Sequence, residues 1–154
     1  MAWAKIALIC LAFSCKATGQ EFQFRVDHFA LVVEDLQQVG DFYAGVLGLE
    51  EIPHPSEPTG FRWFRIQGDS QLHLIGRKAV SKEDNKSEHL CLSVNDLDGF
   101  IAFLNEKGVP FWDWPGQEGA ITLRADGVRQ IYLRDPENNW IEINTASYEG
   151  PGRS

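Results

Sequence analysis

Cysteine is scarce in this chain, and the few residues present are badly placed for cross-linking a fold. Two of the three, Cys10 and Cys15, lie near the amino terminus, and only Cys91 lies in the body of the sequence. A folded domain that contains Cys91 alone has no internal disulfide. The disulfide frameworks of small secreted proteins are therefore excluded.

Positive charge is scarce as well. The chain has 14 Lys and Arg residues against 22 Asp and Glu, which gives a formal net charge of -8. No basic stripe offsets this excess of acid, and contacts with phosphate backbones require one. The sequence therefore argues against a nucleic-acid partner.

A long hydrophobic run is also absent. The apolar stretch at residues 6–13 is far shorter than the roughly 20 residues that cross a bilayer. Because it follows Lys5 closely and is followed by Ser14-Cys15, it is typical of an export signal, which we predict for residues 1–20. The alternative, a first core strand or helix, has no amphipathic continuation after it.

Two processing routes remain open for this segment. Residues 12–15, Ala-Phe-Ser-Cys, resemble a bacterial lipobox, with Ala12 where a branched residue is usual, and predict membrane attachment through a lipidated Cys15. Cleavage after Ala17-Thr18-Gly19 would instead release a chain without a lipid. Both routes predict an exported protein, either periplasmic or lipid-anchored to the cell envelope.

The main body of the sequence repeats itself once. Asp27–Leu36 aligns without a gap with Glu88–Leu97, and each segment has an acid, then a histidine, then an apolar run that closes on Asp-Leu. Further on, residues 60–62 align with 127–129, and residues 71–75 align with 140–144. Two long copies do not make a solenoid, so duplication of a small module is indicated.

Both copies predict the same order of elements. In the first, a strand at 26–33 leads to a helix with Asp35 as N-cap and Gly48 as terminator. Strands at 49–52, 60–67 and 71–75 follow, the last two joined by a tight turn at Gly68-Asp69. In the second, a strand at 88–94 and a helix between Asp96 and Gly108 precede strands near 109–112, 129–134 and 140–144. The fold class is therefore α+β, with two tandem βαβββ modules at 24–76 and 88–146, a linker at 76–87 and a loose tail at 147–154.

Four potential metal ligands occupy matching places in the repeat. His28 and His89 open the first strand of each module, and His73 and Glu142 lie inside the last. Imidazole and carboxylate groups converging from rigid elements hold divalent metals such as Ni, Co, Zn, Mn or Fe. The plain alternative is that each histidine is a hydrogen-bonded core residue and that Glu142 faces solvent. His54 lies outside the repeat and is expected to be exposed.

The pattern resembles the vicinal oxygen chelate superfamily, which includes glyoxalase I, fosfomycin-resistance transferases and extradiol dioxygenases. Resemblance covers residues 24–145, and residues 134–142, Arg-Asp-Pro-Glu-Asn-Asn-Trp-Ile-Glu, are similar to the family turn that leads into the ligand glutamate. The resemblance implies a half-barrel metal cavity in which His28, His89 and Glu142 take the three common ligand positions. His73 takes the variable fourth, which is Glu in glyoxalase I, so a histidine there departs from the glyoxalase pattern.

The resemblance implies a lyase or isomerase related to lactoylglutathione lyase, with a small-molecule substrate as its partner. In such enzymes the metal is a Lewis acid toward two neighbouring substrate oxygens, which stabilises an enediolate or oxyanion. Glu142 or His73 would move the proton as catalytic base. The alternatives are a fosfomycin-type thiol transferase, a ring-cleaving dioxygenase, although this chain is short for one, and a metal-free ligand-sequestering resistance protein.

Substrate contacts can also be predicted. An unbroken hairpin at Gly68-Asp69 places Phe64 opposite His73 and puts Arg62, with its counterpart Arg129, on the ligand face as an anion clamp. The alternative is a bulge, which would reverse that facing and leave both arginines in water. Trp112, between prolines and glycine, either rims the substrate cavity or simply packs.

Cys91 shares the face of His89 and is expected to be a small apolar filler. Since each module donates two ligands, the complete site needs both modules, either within one chain or across a swapped dimer. The resemblance favours a homodimer.

Overall fold

The computed structural model of the chain describes residues 25–56, 59–78 and 83–147. The predicted export signal, Cys15 and the end of the tail lie outside the described residues and stay predictions. Within the described ranges, no helix is long and apolar enough to cross a membrane.

The first module is a four-stranded sheet with one helix. Its elements are β1 (His28–Val33), α1 (Leu36–Gly45), β2 (Glu50–Ile52), β3 (Phe61–Gln67) and β4 (Ser70–Gly76). The strand order is β1-β4-β3-β2, and the first and last strands pair in parallel. Asp35 caps α1 by accepting the backbone N–H of Gln38 at 2.9 Å, which confirms the predicted cap.

The second module repeats this plan with one addition. Its elements are β5 (His89–Ser93), α2 (Leu97–Lys107), β6 (Phe111–Trp112), β7 (Thr122–Leu123), β8 (Arg129–Arg134) and β9 (Trp140–Asn144). The order is β5-β9-β8-β6, and the short β7, which the sequence did not predict, pairs with β8. Gly108 ends α2 with a φ of 66°, a left-handed conformation that favours glycine.

Each sheet has one apolar face toward the core. Leu72 and Leu74 of β4 are fully buried, as are Ile131 and Leu133 of β8, and they belong to one hydrophobic cluster. Because side chains alternate along a strand, His73, which lies between the two leucines, faces the other way. Both mixed sheets are open, which confirms the predicted α+β fold of two βαβββ modules.

The two modules meet through the turn between β8 and β9. One carboxylate oxygen of Glu137 accepts the backbone N–H of Glu34 at 2.6 Å and that of Asp35 at 2.7 Å. Beside it, the Tyr43 hydroxyl of α1 donates to Asp135 at 3.5 Å. A cleft of about 1450 Å³ also runs between the modules, and His89 lies in its lining.

Candidate metal centre

A bulge in the β3–β4 hairpin decides which side chains share a face with His73. The turn pairs Gln67 with Ser70, but the register shifts between Arg65 and Gln67, so that Trp63, rather than Phe64, lies opposite His73. Of the two alternatives that the sequence left open, the structure has the bulged hairpin. One extra residue on a strand exchanges its two faces beyond that point.

The bulge places Arg62 on the helix side of its sheet. Its guanidinium contacts Asp41 at 3.0 Å, Glu51 at 2.6 Å and the carbonyl oxygen of Gln37 at 3.1 Å. The hydrogen bond to Glu51 is the main reason that the pKa of Arg62 is raised. This side chain, only 15% exposed, joins α1 to its sheet. The structure contradicts its predicted place on the ligand face.

Arg129 repeats this arrangement in the second module. Its guanidinium pairs with Asp98 of α2 at 2.6 Å. Side chains alternate along β8, so Arg129 lies on the opposite face from Tyr132, the residue that pairs with Glu142. The predicted anion clamp of Arg62 and Arg129 therefore has no basis in the fold. Both arginines bind carboxylates of their own helices.

His28 and His73, the two predicted ligands of the first module, lie together as a stack. Their ring centroids lie 4.2 Å apart, and their planes are inclined by 13°. The ring of Trp63 stacks on His73, with a centroid distance of 3.8 Å and an interplanar angle of 3°. An imidazole nitrogen presents its lone pair in the plane of its ring. Two nearly parallel rings cannot both direct lone pairs at one ion, so this arrangement does not allow His28 and His73 to share a metal.

The two rings form hydrogen bonds through different nitrogens. Nδ1 of His28 contacts the Asp27 carboxylate at 2.7 Å, whereas Nε2 of His73 contacts the amide oxygen of Gln71 at 2.8 Å. Burial, followed by the charge of His28, lowers the pKa of His73. His54, expected to be exposed, packs against Trp63 at 4.2 Å and is partly buried.

Glu142 is the centre of a second, separate cluster. Its carboxylate is only 8% exposed and lies 3.2 Å from Nε2 of His89. One oxygen accepts the Tyr132 hydroxyl at 2.6 Å, and the other accepts the Asn144 amide at 2.7 Å and the Cys91 thiol at 3.4 Å. Two of the four predicted ligands, His89 and Glu142, are therefore in contact. The solvent-facing alternative for Glu142 is wrong.

These contacts keep the carboxylate charged. Burial acts to raise the pKa of Glu142, but hydrogen bonds from Tyr132, Asn144 and Cys91, together with His89, outweigh it and lower the pKa. Burial and the same carboxylate raise the pKa of Tyr132, and they raise that of Cys91 to about 12. Both groups therefore stay protonated at neutral pH and act as donors. Cys91 is an exposed member of this network and not an apolar filler.

The tautomer of His89 can be inferred from its second nitrogen. Nδ1 lies 2.8 Å from the carbonyl oxygen of Lys86. Because a carbonyl can only accept, Nδ1 carries a proton, and in the neutral ring Nε2 presents a lone pair to Glu142. Two electron-rich atoms at 3.2 Å require a cation between them, either a proton or a metal ion.

The spacing suits a metal ion. Two ligands held about 2.1 Å from one ion, at angles of about 90 to 110 degrees, have donor atoms about 3.0 to 3.4 Å apart. Nε2 of His89 and the nearer oxygen of Glu142, at 3.2 Å, meet that spacing. A ligand histidine whose other nitrogen donates to a carbonyl is also the usual arrangement. The donor chemistry of this pair therefore fits a divalent metal.

The four predicted ligands thus form two pairs on two sheets. Among the residues that the structure describes, no group of three or more His, Cys, Asp or Glu side chains is arranged to hold a metal ion. The predicted convergence of all four on one point within the described chain is not what the structure shows. Each pair lies on its own module, His28 with His73 on the first sheet and His89 with Glu142 on the second.

Several residues of the second cluster were not predicted. Tyr132 and Asn144 share the Glu142 face because β8 and β9 alternate, a signal that the sequence carried. Lys86, which binds His89 from a turn, had no local signal. Trp112 pairs with Tyr132 and packs edge-on against Trp140 at 5.8 Å, so its predicted substrate contact stays a prediction.

Two tandem βαβββ modules, with histidines on their first strands and a buried glutamate on the last, define a protein of the glyoxalase-type fold. The chain belongs to the Glyoxalase/Bleomycin resistance protein/Dioxygenase superfamily, whose sequence profile matches residues 25–143. Members of this superfamily commonly use divalent metals.

The chain is also similar to proteins of known sequence or structure over most of its length. The chain is 26% identical over 125 residues to the Bacillus subtilis (strain 168) protein YwbC, a match that covers 77% of this chain and 95% of YwbC. It superposes on a Bacillus anthracis protein assigned to the glyoxalase family with a TM-score of 0.68 and 22% identity, covering 84% and 100% of the two chains. The lactoylglutathione lyase from Agrobacterium tumefaciens gives a TM-score of 0.63 at 21% identity, covering 82% and 96%. At these identities the solved structures support the fold alone.

Proposed function

We propose that the chain is a metal-dependent enzyme of the glyoxalase type, a lyase or isomerase acting on a small substrate with two neighbouring oxygens. The observation that supports this most is the geometry of His89 and Glu142. Their donor atoms lie 3.2 Å apart, and the second nitrogen of His89 is held on a carbonyl. A ligand histidine is usually oriented in this way, by a hydrogen bond from its other ring nitrogen to a carbonyl or carboxylate.

His28 is the proposed third ligand. Its Nδ1 is bound by Asp27, so Nε2 remains to face an ion, as in His89. His73 has the opposite arrangement, with Nε2 on Gln71 and both ring faces covered. We therefore assign His73 to supporting His28 by stacking, in place of the ligand and base roles expected from the sequence.

A second copy of the chain would complete the centre. His28 lies on the first module and the His89–Glu142 pair on the second, and the described chain does not bring them into one group. The superfamily is often dimeric. In the proposed homodimer, the first module of one protomer faces the second module of its partner.

Glu142 is the proposed proton acceptor. When bound, the ion would act as a Lewis acid toward the substrate oxygens and acidify the adjacent C–H. The lowered pKa of Glu142 keeps its carboxylate ionised at neutral pH, and Tyr132 and Asn144 hold its two oxygens in place. The carboxylate would take the proton from one carbon and return it to the next.

Metal analysis tests the proposal directly. The purified full chain is incubated with Ni, Co, Zn, Mn or Fe, dialysed and analysed by elemental mass spectrometry. We expect Glu142→Gln and His89→Gln to lose bound metal, while His54→Gln, which removes a histidine outside the proposed ligands, retains it. Activity is then screened with hemithioacetals, fosfomycin and catechols. If the wild-type chain retains no metal, or if Glu142→Gln retains as much, the proposal is wrong.

Mixing two defective variants tests the shared site. In a homodimer of His28→Gln protomers, both metal sites lack a ligand, and the same holds for Glu142→Gln. In a mixed dimer with shared sites, both substitutions fall in one centre and the other centre is intact. Metal binding should therefore return on mixing. If each centre lies within one chain, mixing restores nothing.

The same fold also supports metal-free ligand binding as a second candidate. The stack of His28, His73 and Trp63, with His54 beside it, presents aromatic surface on which a flat ligand could pack. Retention of an aromatic ligand by a chain that binds no metal would favour this candidate over the enzyme.

A further inference from the structure

Lys86 lies in a cage of aromatic rings. Its ammonium nitrogen is 4.7 Å from the ring centroid of Trp140, 5.4 Å from that of Tyr132 and 6.0 Å from that of Trp114. It also donates hydrogen bonds of 3.1 Å to the carbonyl oxygens of Asp113 and Trp114. A cation over three rings with two carbonyl acceptors is held more firmly than an ordinary surface lysine.

The main chain of the same residue contacts the candidate centre. The carbonyl oxygen of Lys86 accepts from Nδ1 of His89 at 2.8 Å. The turn that presents this carbonyl is closed by Asn85, which accepts the backbone N–H groups of Ser87 and Glu88 at 3.1 and 3.0 Å. Lys86 therefore joins the aromatic cage to the ring of His89 through its own backbone.

A nearby upstream residue strengthens this connection. Asp84 accepts the indole N–H of Trp140 at 2.7 Å and a guanidinium N–H of Arg134 at 2.8 Å. The Arg134 guanidinium in turn lies 3.9 Å from the ring centroid of Trp140. The segment before β5 is thus fixed at two points to the sheet that carries Glu142.

We infer that Lys86 is a positioning residue for the metal centre: its caged ammonium fixes the carbonyl that sets the tautomer and orientation of His89. The inference rests on the proposed function, in which Nε2 of His89 binds the ion. Without the cage, Nδ1 would lose a fixed acceptor, and the ring could rotate or exchange tautomers. An outer contact of this kind typically contributes about 10- to 100-fold to metal affinity.

The first experiment uses metal-free protein. Nitrogen-15 NMR of the ring nitrogens reports which nitrogen of each histidine carries the proton, and the four histidines are assigned with single His→Gln variants. We expect a protonated, slowly exchanging Nδ1 for His89 in the wild-type chain. In Lys86→Met this signal should lose its protection and shift toward the Nε2-protonated form, while Lys86→Arg, which keeps the cation, should preserve it.

The second experiment measures Zn²⁺ affinity. We expect Lys86→Met to weaken binding by about 10- to 100-fold. Lys107→Met is the matched control, because Lys107 also lies over a ring, that of Phe103 at 5.6 Å, but on α2 and away from the His89–Glu142 cluster. It should change neither the His89 signal nor the affinity.

The outcomes separate this inference from the proposed function. If the wild-type chain binds no metal, the proposed function is wrong. The nitrogen-15 NMR pattern of His89, which shows which ring nitrogen carries the proton, still decides whether Lys86 positions the ring. If wild-type and Lys86→Met chains bind Zn²⁺ equally and show the same His89 pattern, the role of Lys86 is refuted alone. That role is also refuted if Lys86→Arg loses the pattern as fully as Lys86→Met.

Discussion

The carboxylate of Glu137 accepts the backbone N–H of Asp35 at 2.7 Å, although the two residues are 102 positions apart in the chain. Asp35 is the N-cap of α1, and the neighbouring N–H of Glu34 donates to the same oxygen. A turn of the second module therefore anchors the strand-to-helix junction of the first. This contact links the two modules through residues outside the His28–His73 and His89–Glu142 pairs.

Loss of this anchor should weaken the fold. We expect Glu137→Ala to lower the free energy of unfolding by about 2 kcal/mol, because two N–H groups lose a charged acceptor. Glu137→Gln keeps an acceptor oxygen and should cost less than about 1 kcal/mol. Urea unfolding measures both.

Glu106→Ala is the control, since Glu106 is an exposed glutamate on α2. A loss for Glu137→Ala no larger than for Glu106→Ala would show that the contact between the modules contributes nothing.

Removal of the Tyr132 hydroxyl should change the ionisation of Glu142. The hydroxyl donates to the carboxylate at 2.6 Å and favours its charged form, so Tyr132→Phe should raise the pKa of Glu142. The variant also removes the acceptor of the buried Gln130 amide, which lies 2.7 Å away, at a cost of about 1–3 kcal/mol. Carbon-13 NMR titration of the labelled Glu142 carboxyl in metal-free protein follows the pKa.

Tyr43→Phe, in the other module, is the control and should leave the titration of Glu142 unchanged. An unaltered titration curve in Tyr132→Phe would contradict the hydrogen bond from Tyr132 to Glu142.

Gly40 should be intolerant of alanine for a reason outside its helix. Alanine normally stabilises a helix interior by up to about 1 kcal/mol relative to glycine. A β carbon at position 40, however, would overlap the Arg62 guanidinium and displace it from Asp41 and Glu51. We expect Gly40→Ala to destabilise the chain by about 1 kcal/mol, as overpacking does.

A double-mutant cycle identifies the cause. In an Arg62→Ala background the overlap is gone, so Gly40→Ala should become stabilising. Gly45→Ala, where a β carbon meets nothing within 4 Å, should have the same effect in both backgrounds. An equal loss from Gly40→Ala with and without Arg62 would rule out the overlap.

The Arg62 network should make stability depend on acid pH. The pKa of Glu51 is lowered chiefly by its hydrogen bond from Arg62, and that of Asp41 by hydrogen bonds from Gln37 and then Arg62. Folded-state pKa values below the ordinary values of 4.5 and 3.8 mean that this stabilisation is present above the unfolded pKa and is lost as pH falls through the folded pKa. The difference in urea midpoint between wild type and Arg62→Met should therefore be constant from neutral pH to about pH 5 and shrink toward pH 3. A difference that stays constant down to about pH 3 would show that the ion pairs do not contribute.

Much of the architecture followed from the repeat. Asp35 and Asp96 each cap the predicted helix, and β8 and β9 have the predicted bounds. These features depend on local chemistry and on side-chain alternation, which the sequence displays directly. The short β7 was not foreseen because two residues carry no periodicity.

The site was harder to predict, because a shift of one residue in strand register changes which side chains share a face. The bulge near Ile66 exchanged Arg62 for Trp63 on the face of His73, and nothing in the local sequence marks it. The stacking of His28 on His73 depends on the spacing of neighbouring strands. By contrast, the contact of His89 with Glu142 could be foreseen, since the first and last strands of a module, here β5 and β9, lie side by side.

The segment that most resembles the family, residues 134–142, is mainly architectural. Asp135 accepts the backbone N–H groups of Glu137 and Asn139 at 2.9 Å, and Glu137 reaches the other module. Only Glu142, at its end, belongs to the cluster that contains His89, Tyr132 and Asn144. Selection for the fold alone would therefore preserve this segment, even in homologues that have lost catalytic activity. A match to the segment identifies the fold of a homologue, and its activity must be established separately.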